Sequence, residues 1–211
     1  MTDDSPPSGT RADLLAAGLR LFGQFGFAGT STRMLAAEAG TNVASIAYHF
    51  GGKEALRMAC GEEVLRRISA VAGLPEELPD LPPDMARQRL EMMLRALTAF
   101  LTRAPQAADT VGFLLRELAD RGPTIPLIHD RFFRHKHREL CLLVAMATGR
   151  NPDADQTKLL VFSMLGQAVY FRIGQRIVCR MMEWEEYDDA AAQAITDRLV
   201  VNFRAILEDT P

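Results

Sequence analysis

Between Thr30 and Phe50 the chain carries two helical patterns of about two turns each, separated by Gly40-Thr41-Asn42. Helices that short are unstable alone in water, so each must be held by packing against the other and against its neighbours. Leu35, Ala36 and Ala39 give the first an apolar face, and Ile46 and Phe50, four residues apart, give the second a matching one. Glycine permits the tight turn between them, and the arrangement is that of a helix-turn-helix. Once these faces are buried, Val43, Ala44, Ala47 and Tyr48 point elsewhere. The second helix therefore keeps an exposed face.

The remainder of the chain shows helical rather than strand periodicity and no internal repeat. A first helix starts at Thr10 as N-cap and ends at Gly26; the pair follows as about Thr32–Ala39, capped by Ser31 or Thr30, and a short helix from its cap Asn42 to about Tyr48. A longer one covers Lys53–Ala72. Four prolines within the nine residues Pro75 to Pro83 then forbid a continuous helix. Beyond them the spacing predicts helices over Asp84–Arg103, Pro105–Arg121, Thr124–Thr148, Asp153–Met182 and Glu186–Glu208, with Asp153 and Gln156 placed as a capping box. The fold class is all-α: a tail of residues 1–9, an N-terminal three-helix helix-turn-helix domain at 10–70, a proline-rich connection at 71–84, and a larger helical domain at 85–211.

No stretch approaches the roughly 20 apolar residues that span a bilayer, so no membrane partner is expected. The first ten residues lack the cationic start and apolar run of a secretory signal, which makes the cytoplasm the expected location. Net charge is −3. Across Thr30–Cys60, Arg33, Lys53 and Arg57 outnumber Glu38 and Glu54 by one. A nucleic-acid reading thus rests on the motif rather than on overall basicity. Cys60, Cys141 and Cys179 are odd in number and widely spaced, which suits reduced, packed thiols rather than a disulfide framework.

Leu21-Phe22, Gly26-Phe27, Thr30-Ser31, Ala36-x-x-Ala39-Gly40, Tyr48-His49-Phe50 and Lys53-Glu54-x-Leu56 stand together at a particular spacing. In this combination, over about the first 60 residues, the sequence resembles the tetracycline-repressor (TetR) family of bacterial regulators. The stretch Asn42–Glu54, with Gly166-Gln167 and Phe171-Arg172 far downstream, is similar to a subgroup with a CerR-type C-terminal domain. The resemblance implies that the second short helix lies in the major groove of a double-stranded DNA operator while flanking groups hold phosphates. Thr30, Ser31 and Thr32 then sit where hydroxyls and helix-start amides take a phosphate. Ser45 and Tyr48 do likewise, and Lys53 adds charge. Arg33, Asn42, Val43 and Ala44 are the candidates for base edges or their rims. Many members carry tyrosine where this chain has Ala47, which touches a thymine methyl but reaches no phosphate, so direct readout is lean and shape readout contributes more. His49 reads equally as packing inside the small domain or as a DNA contact.

For residues beyond about 73 the resemblance implies ligand sensing and dimerisation, with a small-molecule effector and a homodimer as partners. Leu159–Met182 is apolar nearly all round, and Ile195, Leu199, Phe203 and Ile206 form a stripe on the last helix; two such helices per subunit build a four-helix interface, or else ordinary core. Phe100, Phe113, Phe133, Met164, Tyr170 and Phe171 are candidates to line an apolar cavity, with Arg116, His137 and Gln167 to orient a ligand, although aromatics at helical spacing also read as core. His129, His135, His137 and Cys141 invite a metal, but Arg131, Arg134, Lys136 and Arg138 oppose a cation, so neither metal nor cofactor is expected. No nucleophile elbow, phosphate-cradling glycine loop or zinc ligand set supports an enzyme. The reading is a repressor released from a palindromic operator by a ligand. A thiol-redox regulator using one of the cysteines, or a helical enzyme with an unrecognised site, are the alternatives.

Overall fold

The computed structural model describes residues 10–73 and 78–208. The expected tail at 1–9 and part of the proline-rich connection lie outside the described residues. In chain order the elements are α1 (Thr10–Gly29), α2 (Thr32–Glu38), α3 (Val43–Phe50), α4 (Lys53–Ala72), α5 (Pro83–Arg103), α6 (Ala107–Ala119), α7 (Thr124–Ile128), a π-helical segment (His129–Phe133), α8 (Arg134–Thr148), α9 (Asp155–Ile173), α10 (Gln175–Met182) and α11 (Asp189–Glu208). Every element among the described residues is helical, as the periodicity predicts. No described helix is long and apolar enough to cross a membrane.

These elements gather into two compact units, one of the residues up to Arg67 with Asp109–His129, the other of Ile68–Ala108 with Asp130 onward. The contiguous division at the proline-rich stretch therefore does not describe the packing, because α6 and α7 join the helix-turn-helix. Within this first unit, Leu14, Leu19, Phe22, Leu35, Ile46, Leu56 and Phe113 are fully buried. Gly23 of α1 lies so close to α6 that a Cβ there would stand 2.9 Å from the Phe113 amide nitrogen. A buried ion pair fixes the other side: the Arg57 guanidinium of α4 donates to Glu117 Oε1 of α6 at 2.7 Å, and the Thr124 hydroxyl of α7 donates to Oε2 at 2.7 Å. First-helix geometry also differs from expectation. The helical run continues past Gly26 to Gly29, bending at Gly26, whose φ of 73° only glycine adopts freely.

In the second unit α5 packs against α8, α9 and α11, over a core that includes Leu90, Leu101, Leu143, Val161, Ala168 and Leu199. Lys136 is buried there and donates to Glu139 at 2.6 Å and to the Ala72 carbonyl at 2.9 Å. A cation thus meets the last carbonyls of α4, where the helix dipole favours it.

Three local expectations are corrected here. The span Asp153–Met182 is two helices, broken at Gly174. Its capping box does not form, because Asp153 pairs with Arg138 and the N-cap is Ala154. The last helix begins at Asp189, after Asp188, whose carboxylate accepts from the Ala191 amide at 2.8 Å. On that helix Ile195, Leu199 and Phe203 are buried inside the unit, so the stripe is intramolecular core; the outward residues include Ala194, Arg198, Val201 and Ala205.

Candidate nucleic-acid interface

The turn between α2 and α3 is closed by local chemistry. Ser31 caps α2 by accepting from the Met34 amide at 3.1 Å. At its other end Gly40 takes φ +63°, the Gly40 amide donates to Ala37 and the Thr41 amide to Ala36, a glycine-terminated C-cap. Asn42 caps α3, its Oδ1 accepting from the Ser45 amide at 3.0 Å. Leu35, Ala36 and Ile46 are buried, as the two facing patterns require. Past Phe50 the chain turns through Gly51 in the left-handed region into α4.

The side chains left facing outward are Ser31, Arg33, Asn42, Val43, Ala44, Ala47 and Tyr48, with Val43 44% and Tyr48 76% exposed. Thr32 and Lys53 are half-buried. The Lys53 ammonium sits 4.1 Å from the centroid of Phe27 and Arg57 at 4.7 Å, so both cations lean on one aromatic ring. Two expected phosphate ligands are placed otherwise. Thr30 is 1% exposed and its hydroxyl donates to the Leu21 and Gly26 carbonyls at 3.1 and 2.8 Å, tying α2 to the bend in α1. Ser45 is buried, its hydroxyl shared between Thr41 Oγ1 at 2.8 Å and Asn42 Oδ1 at 3.2 Å. Both hydroxyls are consumed by the fold. His49 presents a buried Nε2 with no hydrogen-bond partner and meets the Tyr48 ring edge-on at 5.0 Å; its ring packs inward.

Thr30→Val should cost roughly 1–2 kcal/mol of stability by removing the buried hydroxyl shared between the Leu21 and Gly26 carbonyls. DNA affinity per folded molecule should stay within about twofold of wild type. Thermal denaturation and a DNA titration on the same preparation separate the two effects.

The nine candidate ligand residues are divided between the two units. Phe113 and Arg116 belong to the first unit, Phe113 fully buried and Arg116 paired with Asp120 at 2.8 Å. The other seven belong to the second unit. Phe100 is core on α5 and Phe133 lies in the π-helical segment. His137 stacks on Phe162 at 4.3 Å and contacts Cys141 Sγ through Nδ1 at 3.7 Å. Tyr170 is exposed and Phe171 half-buried. Met164 and Gln167 line a cavity of about 10 Å³ with Leu94, Leu199, Phe203 and Ile206; that is room for one water. Gln167 Oε1 there accepts from Asn202 at 3.0 Å. Sequence reasoning missed Arg57, Glu117 and Thr124, which hold α6 and α7 to α4. The one sign of them was an acid, Glu117, at helical spacing from Thr110 and Phe113 on an otherwise buried face.

An all-α chain with a capped helix-turn-helix and a second helical unit has the architecture of a bacterial transcription regulator, and the comparisons agree. The model for bacterial regulatory proteins of the tetR family matches residues 14–60. The model for the C-terminal domain of the HTH-type transcriptional dual regulator CecR matches residues 86–210. The chain belongs to the TetR family of DNA-binding transcriptional regulators, in the group with the CecR-type C-terminal domain; the subgroup is CecR, not CerR. The HTH-type transcriptional dual regulator CecR of Shigella flexneri is 31% identical over 208 residues, which cover 94% of this chain and 91% of that protein. Among solved structures, a TetR-like regulator from Rhodococcus sp. RHA1 superposes with TM-score 0.68 at 21% identity over 98% of this chain and 100% of that one. AibR in complex with isovaleryl coenzyme A and operator DNA superposes with TM-score 0.66 at 21% identity, over 90% and 96% respectively.

Proposed function

We propose that this regulator is a homodimeric repressor that grips a palindromic operator through the exposed face of α3 and is released by a small organic effector. The observation that carries the reading is the division of labour on α2–α3. Leu35, Ile46, Thr30 and Ser45 are spent on the fold, while Arg33, Val43, Ala44, Ala47 and Tyr48 face outward. Val43, Ala44 and Ala47 offer methyl contact to thymine rather than hydrogen bonds, and Tyr48 and Lys53 supply phosphate contacts.

One such face reads one half-site, so a second copy is needed to read a palindrome, with half-sites about 10 base pairs or a multiple apart. The outward side of α9 supports pairing: Leu159, Phe162, Gly166, Tyr170 and Ile173 recur at helical spacing and are exposed. The apolar residues expected to face a partner on α11 are core, and the small outward residues Ala194, Val201 and Ala205 allow close approach instead. AibR, solved in complex with isovaleryl coenzyme A and operator DNA, supports a small organic ligand for such a fold. An effector shifts DNA affinity only by its different affinity for the bound and free states. The thiol-redox alternative is opposed by burial of Cys60, Cys141 and Cys179. Desolvation pushes the Cys60 and Cys141 thiols above their ordinary range, away from the reactive thiolate.

Selection of bound fragments from a random DNA pool tests the reading. An enriched inverted repeat, placed upstream of a reporter that the protein silences, is the expected outcome; enrichment of no sequence, or of an asymmetric one, contradicts it.

A further inference from the structure

We infer that α10 and the acidic segment following it form a self-complementary electrostatic contact for a second copy of this chain, one that decides which chains pair. The inference rests on the homodimer reading and carries it from the end of α9 along α10 into the acidic segment that follows.

Ile173, Ile177 and Met181 follow each other at four-residue spacing across the end of α9 and α10, and are 55%, 61% and 78% exposed. An apolar stripe this open lies uncovered in the single chain. Arg176 and Arg180 run beside it, both exposed. Glu183, Glu185 and Glu186 come immediately after, also exposed. Among the described residues, neither these arginines nor these glutamates have an ion-pair partner within the chain.

The acidic segment is not a loose loop. The Trp184 amide donates to the Cys179 carbonyl at 2.9 Å, with Glu183 in the left-handed region at φ 57°. The Tyr187 hydroxyl donates to the Phe171 carbonyl at 2.9 Å, and Trp184 meets the Tyr187 ring edge-on at 6.2 Å. Carboxylates carried on a pinned turn lose little freedom on pairing, which is where an ion pair becomes worth having.

The charge pattern selects the occupant. An anionic lipid surface or a nucleic acid would suit the arginines and the apolar stripe but would be repelled by the glutamates. A partner of one net sign leaves half the patch unsatisfied. A second copy approaching about a two-fold axis brings both signs in reversed order, so that arginines of each chain meet glutamates of the other and the apolar stripes meet between them. Such pairing favours self-association over association with a regulator that has different charges there.

The test is a charge swap in the full-length protein, using Arg176→Glu/Arg180→Glu as one variant and Glu185→Lys/Glu186→Lys as the other. All four positions are exposed, and far-UV circular dichroism checks that each variant folds. Sedimentation equilibrium should find wild type dimeric and each variant weakened in self-association by at least about tenfold, since like charges now face each other. Mixing the two should restore association, with the mixed dimer dominating by native mass spectrometry. If both variants dimerise as wild type does and mix statistically, the contact is not where the inference places it, although the dimer reading stands. A wild type that is monomeric up to high protein concentration overturns the dimer reading and this inference with it.

Discussion

Replacing Arg57 by methionine should lower the stability of the first unit by about 3 kcal/mol, the low end of what breaking a buried ion pair costs. Glu117 is the reason. Its side chain is 3% exposed, and Arg57, 12% exposed, donates to one carboxylate oxygen while Thr124 donates to the other. Without the guanidinium a buried charge keeps only a hydroxyl. The expected loss in melting temperature is roughly 10–20 °C for a unit of this size. Calorimetry measures it, and the single tryptophan, Trp184, gives a fluorescence signal from the second unit that should move less. Adding Glu117→Met should recover most of the loss, because apolar replacements of a buried pair are often neutral. A cost below about 1 kcal/mol for Arg57→Met would mean that the pair does not hold α6 to α4.

Val43→Glu should weaken operator binding by about 100-fold or more, close to 3 kcal/mol, while leaving the protein at least as stable. Val43 is the first residue of α3 and 44% exposed. A carboxylate in the first turn of a helix is favoured by the helix dipole, so unfolding cannot explain the loss. Facing the groove, however, the same carboxylate confronts phosphates and base acceptors with no cation to meet it. Val43→Thr, which keeps a methyl at that point, should stay within about fivefold of wild type. Anisotropy titrations at fixed salt read both variants. Equal binding by wild type and Val43→Glu would remove the start of α3 from the groove.

The helix-turn-helix was legible because everything that makes it is local. Asn42 caps within three residues, Gly40 ends α2 within one turn, and Leu35 and Ile46 face inward by simple periodicity. The same locality misled at Thr30 and Ser45. Hydroxyls at helix starts suit phosphates, but these two meet carbonyls and hydroxyls of their own fold first, and the bend at Gly26 that aims Thr30 at the Leu21 and Gly26 carbonyls leaves no mark on hydropathy. Long-range pairs were beyond reach. Arg57 and Glu117 are 60 residues apart, and Arg138 takes Asp153 away from its capping role across 15. The inward stripe of α11 is legible as a stripe but not as core, because periodicity shows that a face is buried and not whether a partner chain or the same chain buries it.

Two copies of this chain are expected to hold one palindrome through paired α3 faces. Native mass spectrometry of the protein with the selected duplex, alongside titrations of that duplex and of one whose second half-site is scrambled, tests it most directly. Two chains on the intact palindrome, with affinity falling at least about 100-fold on the half-site duplex, about 2.7 kcal/mol, is the predicted result. One chain per duplex, or equal affinity for the two duplexes, would contradict it.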